Sequence, residues 1–197
     1  SLSHEVSQIL PTAVTLATKD KTDFENISKL IPNKEFRIYY SNDLIGTQIG
    51  GALKNIYAIA AGIAEGLNLG ENAKSALISR SFAEMTRYAK KFKADKNTLF
   101  GLSGLGDLIL TCSSKNSRNT QFGIKLASSK YDNFLDLLKS QEVTEGYYTV
   151  KAVYNISQKK NIDMPIMESV YNILYKQHDL KEELSNLLSR PITEEKI

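Results

Sequence analysis

The chain has 197 residues, 42% hydrophobic and 24% charged, with a formal net charge of +3 and a pI ≈ 8.8. That balance suits a folded chain with one good core, and the absence of a basic run interleaved with aromatics argues against a nucleic-acid surface. Cys112 is the single cysteine, which excludes an internal disulfide; with no bilayer-spanning apolar run and no signal-peptide pattern, the expected location is the cytoplasm.

Residues 1–10 read as a short helix capped by Ser1 or Ser3 and ended by Pro11. The β-rich run 12–18 reads as a strand. Thr22-Asp23-Phe24-Glu25 forms a capping box that opens a helix ending before Pro32, and 36–40 (FRIYY) is a second strand. Strand, helix, strand is one βαβ unit, which needs neighbouring strands to be covered, so residues 1–43 look like the tail of an α/β domain.

Strand signals stop there. A long helix is expected over 44–66, with Ile45, Ile49, Leu53, Ile56, Ala60, Ile63 and Leu67 on its core face. Beside that face runs a stripe of Thr47, Gly50, Gly51, Lys54, Ala58 and Ala61. Two consecutive glycines weaken a helix interior by roughly 1 kcal/mol each, so they imply that a ligand or another backbone comes close. A second long helix covers about 72–93, and Asp95 caps a short piece reaching Phe100. Asn116 or Ser117 starts a helix to about Ala127, and 131–138 continues the pattern. Thr144 caps a helix reaching Gln158, Pro165 sits in the first turn of one ending near Gln177, and Asp179 with Glu182 opens the last. The sequence thus predicts a mainly α chain, with about seven helices over 44–197 behind an α/β remnant.

Four groups could carry chemistry. Lys54 can reach whatever approaches the small-residue stripe. Gly101 to Gly106 reads G-x-x-G-x-G, which reverses the dinucleotide fingerprint and follows no strand, so it is read as a tight bend delivering Asp107; the alternative is that Asp107 only caps a helix. Ser117, Arg118 and Asn119 stand at a helix start, where free N–H groups favour an anion and arginine can grip a phosphate with two hydrogen bonds. Lys115 beside them reads as a solvated side chain. Val143-Thr144-Glu145-Gly146 places a carboxylate in a first turn that Gly146 weakens. His4, His178 and Cys112 have no metal-ligand spacing, so no metal site is expected.

Taken in order, GGALKN, AAGIAEGLNLGENAKSALISRSFAEM, GLSGLGDLILTC, NSRN and VTEG resemble the bacterial-type NAD(P)-dependent glycerol-3-phosphate dehydrogenases. PTAVTLAT, MPIMESVYNILY and LLSRP extend the likeness over essentially the whole chain. The resemblance implies a Rossmann-type cofactor domain ending at residue 43 and an all-helical substrate domain over 44–197, with the active site between them. It implies interconversion of sn-glycerol 3-phosphate and dihydroxyacetone phosphate with NAD(H) or NADP(H), which supplies the backbone of phospholipids. Lys54 is then the proton-transferring residue and Asp107 its partner in binding substrate. Ser117, Arg118 and Asn119 match the substrate-binding run, with Arg118 also touching cofactor, while Val143 and Glu145 match cofactor contacts. Ser1 matches the serine of the family's GPS motif, a substrate contact. Ser3 stands where the family often has an alanine that contacts cofactor.

The dinucleotide fingerprint does not occur in this chain, so it is read as the C-terminal part of the enzyme and expected to be inactive alone. The exposed edge of the βαβ unit favours either pairing with a second copy, as in a homodimer, or fraying. Two rivals are a β-hydroxyacid dehydrogenase C-terminal domain and a non-enzymatic helical interaction module. The former usually has its asparagine four residues after the lysine, whereas Asn55 follows Lys54 directly; the latter leaves the stripe around Lys54 unexplained. The choice between NAD and NADP stays open.

Overall fold

The computed structural model describes residues 3–31, 34–128, 144–191 and 194. The expected helix over 131–138, Ser1 and Val143 lie outside these. The chain opens with α1 (Ser3–Ser7), β1 (Thr12–Ala17), α2 (Lys21–Lys29) and β2 (Phe36–Ser41). The two strands pair in parallel, with Thr12 opposite Phe36 and Ala17 opposite Ser41. Their connection is the expected βαβ unit. The start of α2 differs from the reading of a Thr22 capping box, because the Asp20 carboxylate accepts from Thr22 N at 2.8 Å. An acid one residue before the helix reaches that amide better than a residue already inside the first turn.

From α3 (Leu44–Gly66) onward every described element is helical: α4 (Gly70–Lys91), α5 (Lys96–Phe100), a π-helical turn (Leu102–Gly106), α6 (Asp107–Ser113), α7 (Arg118–Ala127), α8 (Glu145–Lys160), α9 (Pro165–Lys176) and α10 (Leu180–Leu188). The chain is therefore mainly α, with eight α-helices among the described residues of this portion. Asp43 ties the start of α3 to the approach of α5. Its carboxylate accepts from Gly46 N (2.9 Å) at the start of α3 and from Asp95 N (2.8 Å) beside α5. Burial raises its pKa, but these amide donors pull it down further, so the carboxyl titrates below its ordinary range.

Helix α3 is the centre of the core. Residues 55 to 64 are all buried, and α4, α6, α7, α8 and α9 all pack around it. A helix apolar on most sides belongs inside a bundle, so the expected single core face understates it. Ile45 is the exception, half-exposed at the helix start. The small residues permit backbone contact. A Cβ on Gly50 would collide with the Ser103 carbonyl of the π turn, one on Gly62 with Thr120 O, and one on Gly123 with Ile59 O. Gly51 is different, with nothing within 4 Å of where its Cβ would stand.

Pro165 opens α9 as expected, but the helix has no side-chain cap of its own. Glu84, buried in α4, serves instead: Ile166 N donates to Oε1 (2.6 Å) and Met167 N to Oε2 (3.2 Å). The Tyr57 hydroxyl of α3 adds a third hydrogen bond at 3.3 Å. Burial pushes the Glu84 carboxyl up to about 7, against the opposing pull of the two amides. With its folded pKa above the ordinary 4.5, the native state holds this proton more tightly than the unfolded chain does. The Glu84 contribution is then fully present at low pH and lost as pH rises to about 7. Urea unfolding of the parent should show a stability term that falls across pH 4.5 to 7, and Glu84→Gln should lack that term. An identical pH profile in the two proteins would contradict this assignment.

Candidate active site

Lys54 leaves α3 one turn beyond Gly51, on the side where backbone does not close in. Its ammonium meets the Asp107 carboxylate at 2.5 Å, and the two side chains retain 19% and 17% exposure. This is a partly exposed charge pair, neither buried nor fully solvated. Asp107 is the first residue of α6 and follows the π turn directly. The N-cap position itself falls on Gly106, and the Asp107 carboxylate one residue later pairs with Lys54. Thr111 donates to Asp107 O (2.6 Å) and Thr120 donates to Thr111 O (2.8 Å), which ties α6 to α7 beneath the acid.

The start of α7 presents one side chain and keeps two. Ser117 is buried and caps the helix, accepting from Thr120 N at 3.3 Å. Arg118 projects, 84% exposed, with its guanidinium 3.8 Å from Glu145, itself 71% exposed. Asn119 turns inward and both ends of its amide are used. It donates to Asn55 Oδ1 (3.0 Å) and accepts from Gly146 N (3.0 Å). Asn55 in turn donates to Glu145 Oε2 at 3.3 Å.

A chain of amides therefore fastens the first turn of α8 to α3 and α7. Thr144, expected to cap α8, makes no side-chain cap hydrogen bond; Asn119 takes that part from another helix. The tightness explains Gly146, where a Cβ would stand 2.7 Å from both Asn119 Oδ1 and the Asn55 carbonyl. The expectation that something needs space there holds, and that something is protein. Ser3 lies exposed on α1, and among the described residues no hydrogen bond or ion pair joins it to this cluster. Lys115 contributes only its carbonyl, to Gln121. Cys112 is buried and its thiol is pushed up to about 12 by burial, which leaves it unreactive.

Two charge pairs therefore stand on this side of the bundle, Lys54 with Asp107 and Arg118 with Glu145, and Asn55, next to Lys54 in the chain, hydrogen-bonds to Glu145. The family model described as NAD-dependent glycerol-3-phosphate dehydrogenase C-terminus matches residues 43–185. The chain belongs to this family. Over 196 residues it is 45% identical to a glycerol-3-phosphate dehydrogenase [NAD(P)+] of Solidesulfovibrio magneticus and 43% identical to one of Francisella tularensis subsp. novicida. These alignments cover 99% of this chain but 59% and 58% of the relatives. The crystal structure of glycerol-3-phosphate dehydrogenase from Coxiella burnetii superposes with a TM-score of 0.90 at 38% identity, covering 96% of this chain and 58% of that one. A Plasmodium falciparum glycerol-3-phosphate dehydrogenase gives 0.85 at 27% identity, covering 98% and 56%.

Sequence reasoning singled out every charged member of this cluster but missed the part played by Asn55. The available signal was an amide at a buried position inside the apolar run 53–64, where an unpaired polar group would be costly. Asn119→Ala should leave the Asn55 amide and Gly146 N–H without their partner and cost about 1–3 kcal/mol. Urea unfolding measures that loss, and hydrogen exchange at the Gly146 amide should quicken. Unchanged exchange would show that the amide chain does not hold α8.

Proposed function

We propose that the chain forms the substrate side of an enzyme that interconverts sn-glycerol 3-phosphate and dihydroxyacetone phosphate with NAD(H) or NADP(H). Within it, residues 1–43 belong to the cofactor domain and 44–197 to the helical substrate domain. The observation that carries this reading is the partly exposed Lys54–Asp107 pair, with Arg118 exposed in the first turn of α7. A homodimer, a cytoplasmic location and supply of glycerol phosphate for phospholipid synthesis complete the proposal. The free Cys112 thiol agrees with a reducing compartment, and no helix among the described residues is long and apolar enough to cross a membrane.

The residues present fit a dinucleotide at the edge of this cluster. Gly51 faces open space, and its carbonyl accepts from Asn55, the same amide that reaches Glu145. Exposed Glu145 and Arg118 would hold the cofactor there, which when bound supplies or accepts the hydride. Ser3 and Val143 are further cofactor contacts in this reading, and Ser1 a substrate contact.

The chain's own residues do the rest. During reduction the ketone oxygen gains negative charge, which the Lys54 ammonium stabilises before donating a proton to that oxygen. In the oxidative direction Lys54 takes the proton back. Asp107 fixes the ammonium in place, so little reorganisation is needed when charge develops. Arg118 grips the substrate phosphate, while Ser117 and Asn119 serve binding by setting the start of α7. This division of labour also separates the proposal from an interaction module, which would have no use for a partly exposed lysine–aspartate pair.

In active enzyme containing this chain, Lys54→Met should lower turnover by about 10²–10⁴, the usual loss when general acid–base help is removed. Turnover within a few-fold of the parent would exclude Lys54 as proton donor. Arg118→Ala should weaken the phosphorylated substrate by about 1.5–3 kcal/mol and hardly affect unphosphorylated dihydroxyacetone. Steady-state kinetics showing equal losses for the two substrates would assign Arg118 a role other than gripping phosphate.

A further inference from the structure

We infer that Glu145 is a placeholder for the substrate phosphate, holding the Arg118 guanidinium until an anion displaces it. This rests on the reading of Arg118 as the phosphate grip and adds a competitor to it. Three observations carry the inference. First, the Glu145 carboxylate is aimed. Asn55 donates to one of its oxygens, and that amide is fixed by Asn119, which also accepts from Gly146 N next in the chain. Asn55 and Asn119 are only 7% and 8% exposed. An exposed carboxylate normally roams; this one is tethered by the buried Asn55 amide, which Asn119 fixes in turn, with its other oxygen toward Arg118 at 3.8 Å.

Second, the pair is weak by construction. Both side chains are largely exposed and the separation is at the outer limit of a salt bridge, so its contribution is small and easily exchanged. A buried or bidentate pair would lock the guanidinium, whereas an exposed single contact orients it and lets go. Third, the two charges come from different helices, Arg118 opening α7 and Glu145 opening α8. A carboxylate is favoured at its own helix start regardless of Arg118, so Glu145 remains in place when the arginine leaves and repels the incoming anion. Phosphate binding therefore works against Glu145 throughout.

The test uses the 197-residue chain, ¹⁵N-labelled, with inorganic phosphate as probe. Glu145→Gln keeps the hydrogen bond from Asn55 available and removes the charge. In the absence of phosphate this change should move the Arg118 Nε–Hε resonance. It should also tighten phosphate binding about 1.5- to 5-fold, the range spanned by exposed ion pairs. In an Arg118→Ala background the same change should give no gain, and Glu182→Gln on exposed α10 should leave phosphate affinity unaltered. The inference is overturned if the resonance does not move, or if Glu145→Gln binds phosphate no better than the parent. A gain that persists without Arg118, or no phosphate binding by Glu145→Gln, overturns it as well. Preference for glycerol 3-phosphate over glycerol, titrated in parallel, tests the underlying reading separately: its absence would remove that reading while a phosphate gain at Arg118 left the competition standing.

Discussion

The described fold depends on how closely other pieces of backbone come to α3. At Gly50 the π turn lies directly on the helix, and at Gly62 and Gly123 α3 and α7 touch main chain to main chain. Such approach leaves no room for a β-carbon, and dense packing makes it stiff. Two supports on one helix fix the relative positions of Asp107, carried by the turn, and Arg118, carried by α7. Lys54 stands between the supports in sequence, so the distance from ammonium to carboxylate follows from backbone contacts and not from side-chain choice alone.

Polar groups inside the bundle repeat one device, in which a helix start is completed by a side chain from another helix. Glu84 of α4 accepts the first amides of α9, and Asn119 of α7 accepts an amide of α8. Each arrangement satisfies donors that a helix start leaves open, and each also ties two helices at a defined rotation. A local cap would satisfy the same donors without fixing any neighbour. The cost of this device is a buried carboxyl group at Glu84 and two buried amides at Asn55 and Asn119, tolerated because every one of them is bonded.

Most of the secondary structure was legible in the sequence because it is set locally. The bounds of α3, the Asp95 cap and Pro165 at the start of α9 all follow from periodicity, capping and proline chemistry. The Thr22 capping box failed because the helix begins earlier, at Lys21, and Asp20, two residues before Thr22, caps it. The Thr144 cap failed for a different reason, since tertiary contact with Asn119 supplied what the local hydroxyl could have given. The charged members of the candidate site were visible by residue type. Their pairing was not, because Lys54 with Asp107 and Arg118 with Glu145 are brought together by the fold and no local pattern encodes those distances.

The π turn at 102–106 bears on how this region tolerates change in length. A π turn amounts to one extra residue in a helical path, and each residue in a helix advances the side chains by about 100°. Removing one residue between Gly101 and Asp107 while the turn keeps its wide winding would swing the carboxylate roughly a quarter-turn away from Lys54. Loops usually absorb insertions and deletions quietly, but this glycine-rich segment would not. Its length acts as a phase setting for the acid, so point substitutions at Leu102 or Leu105 should be far better tolerated there than any gain or loss of a residue.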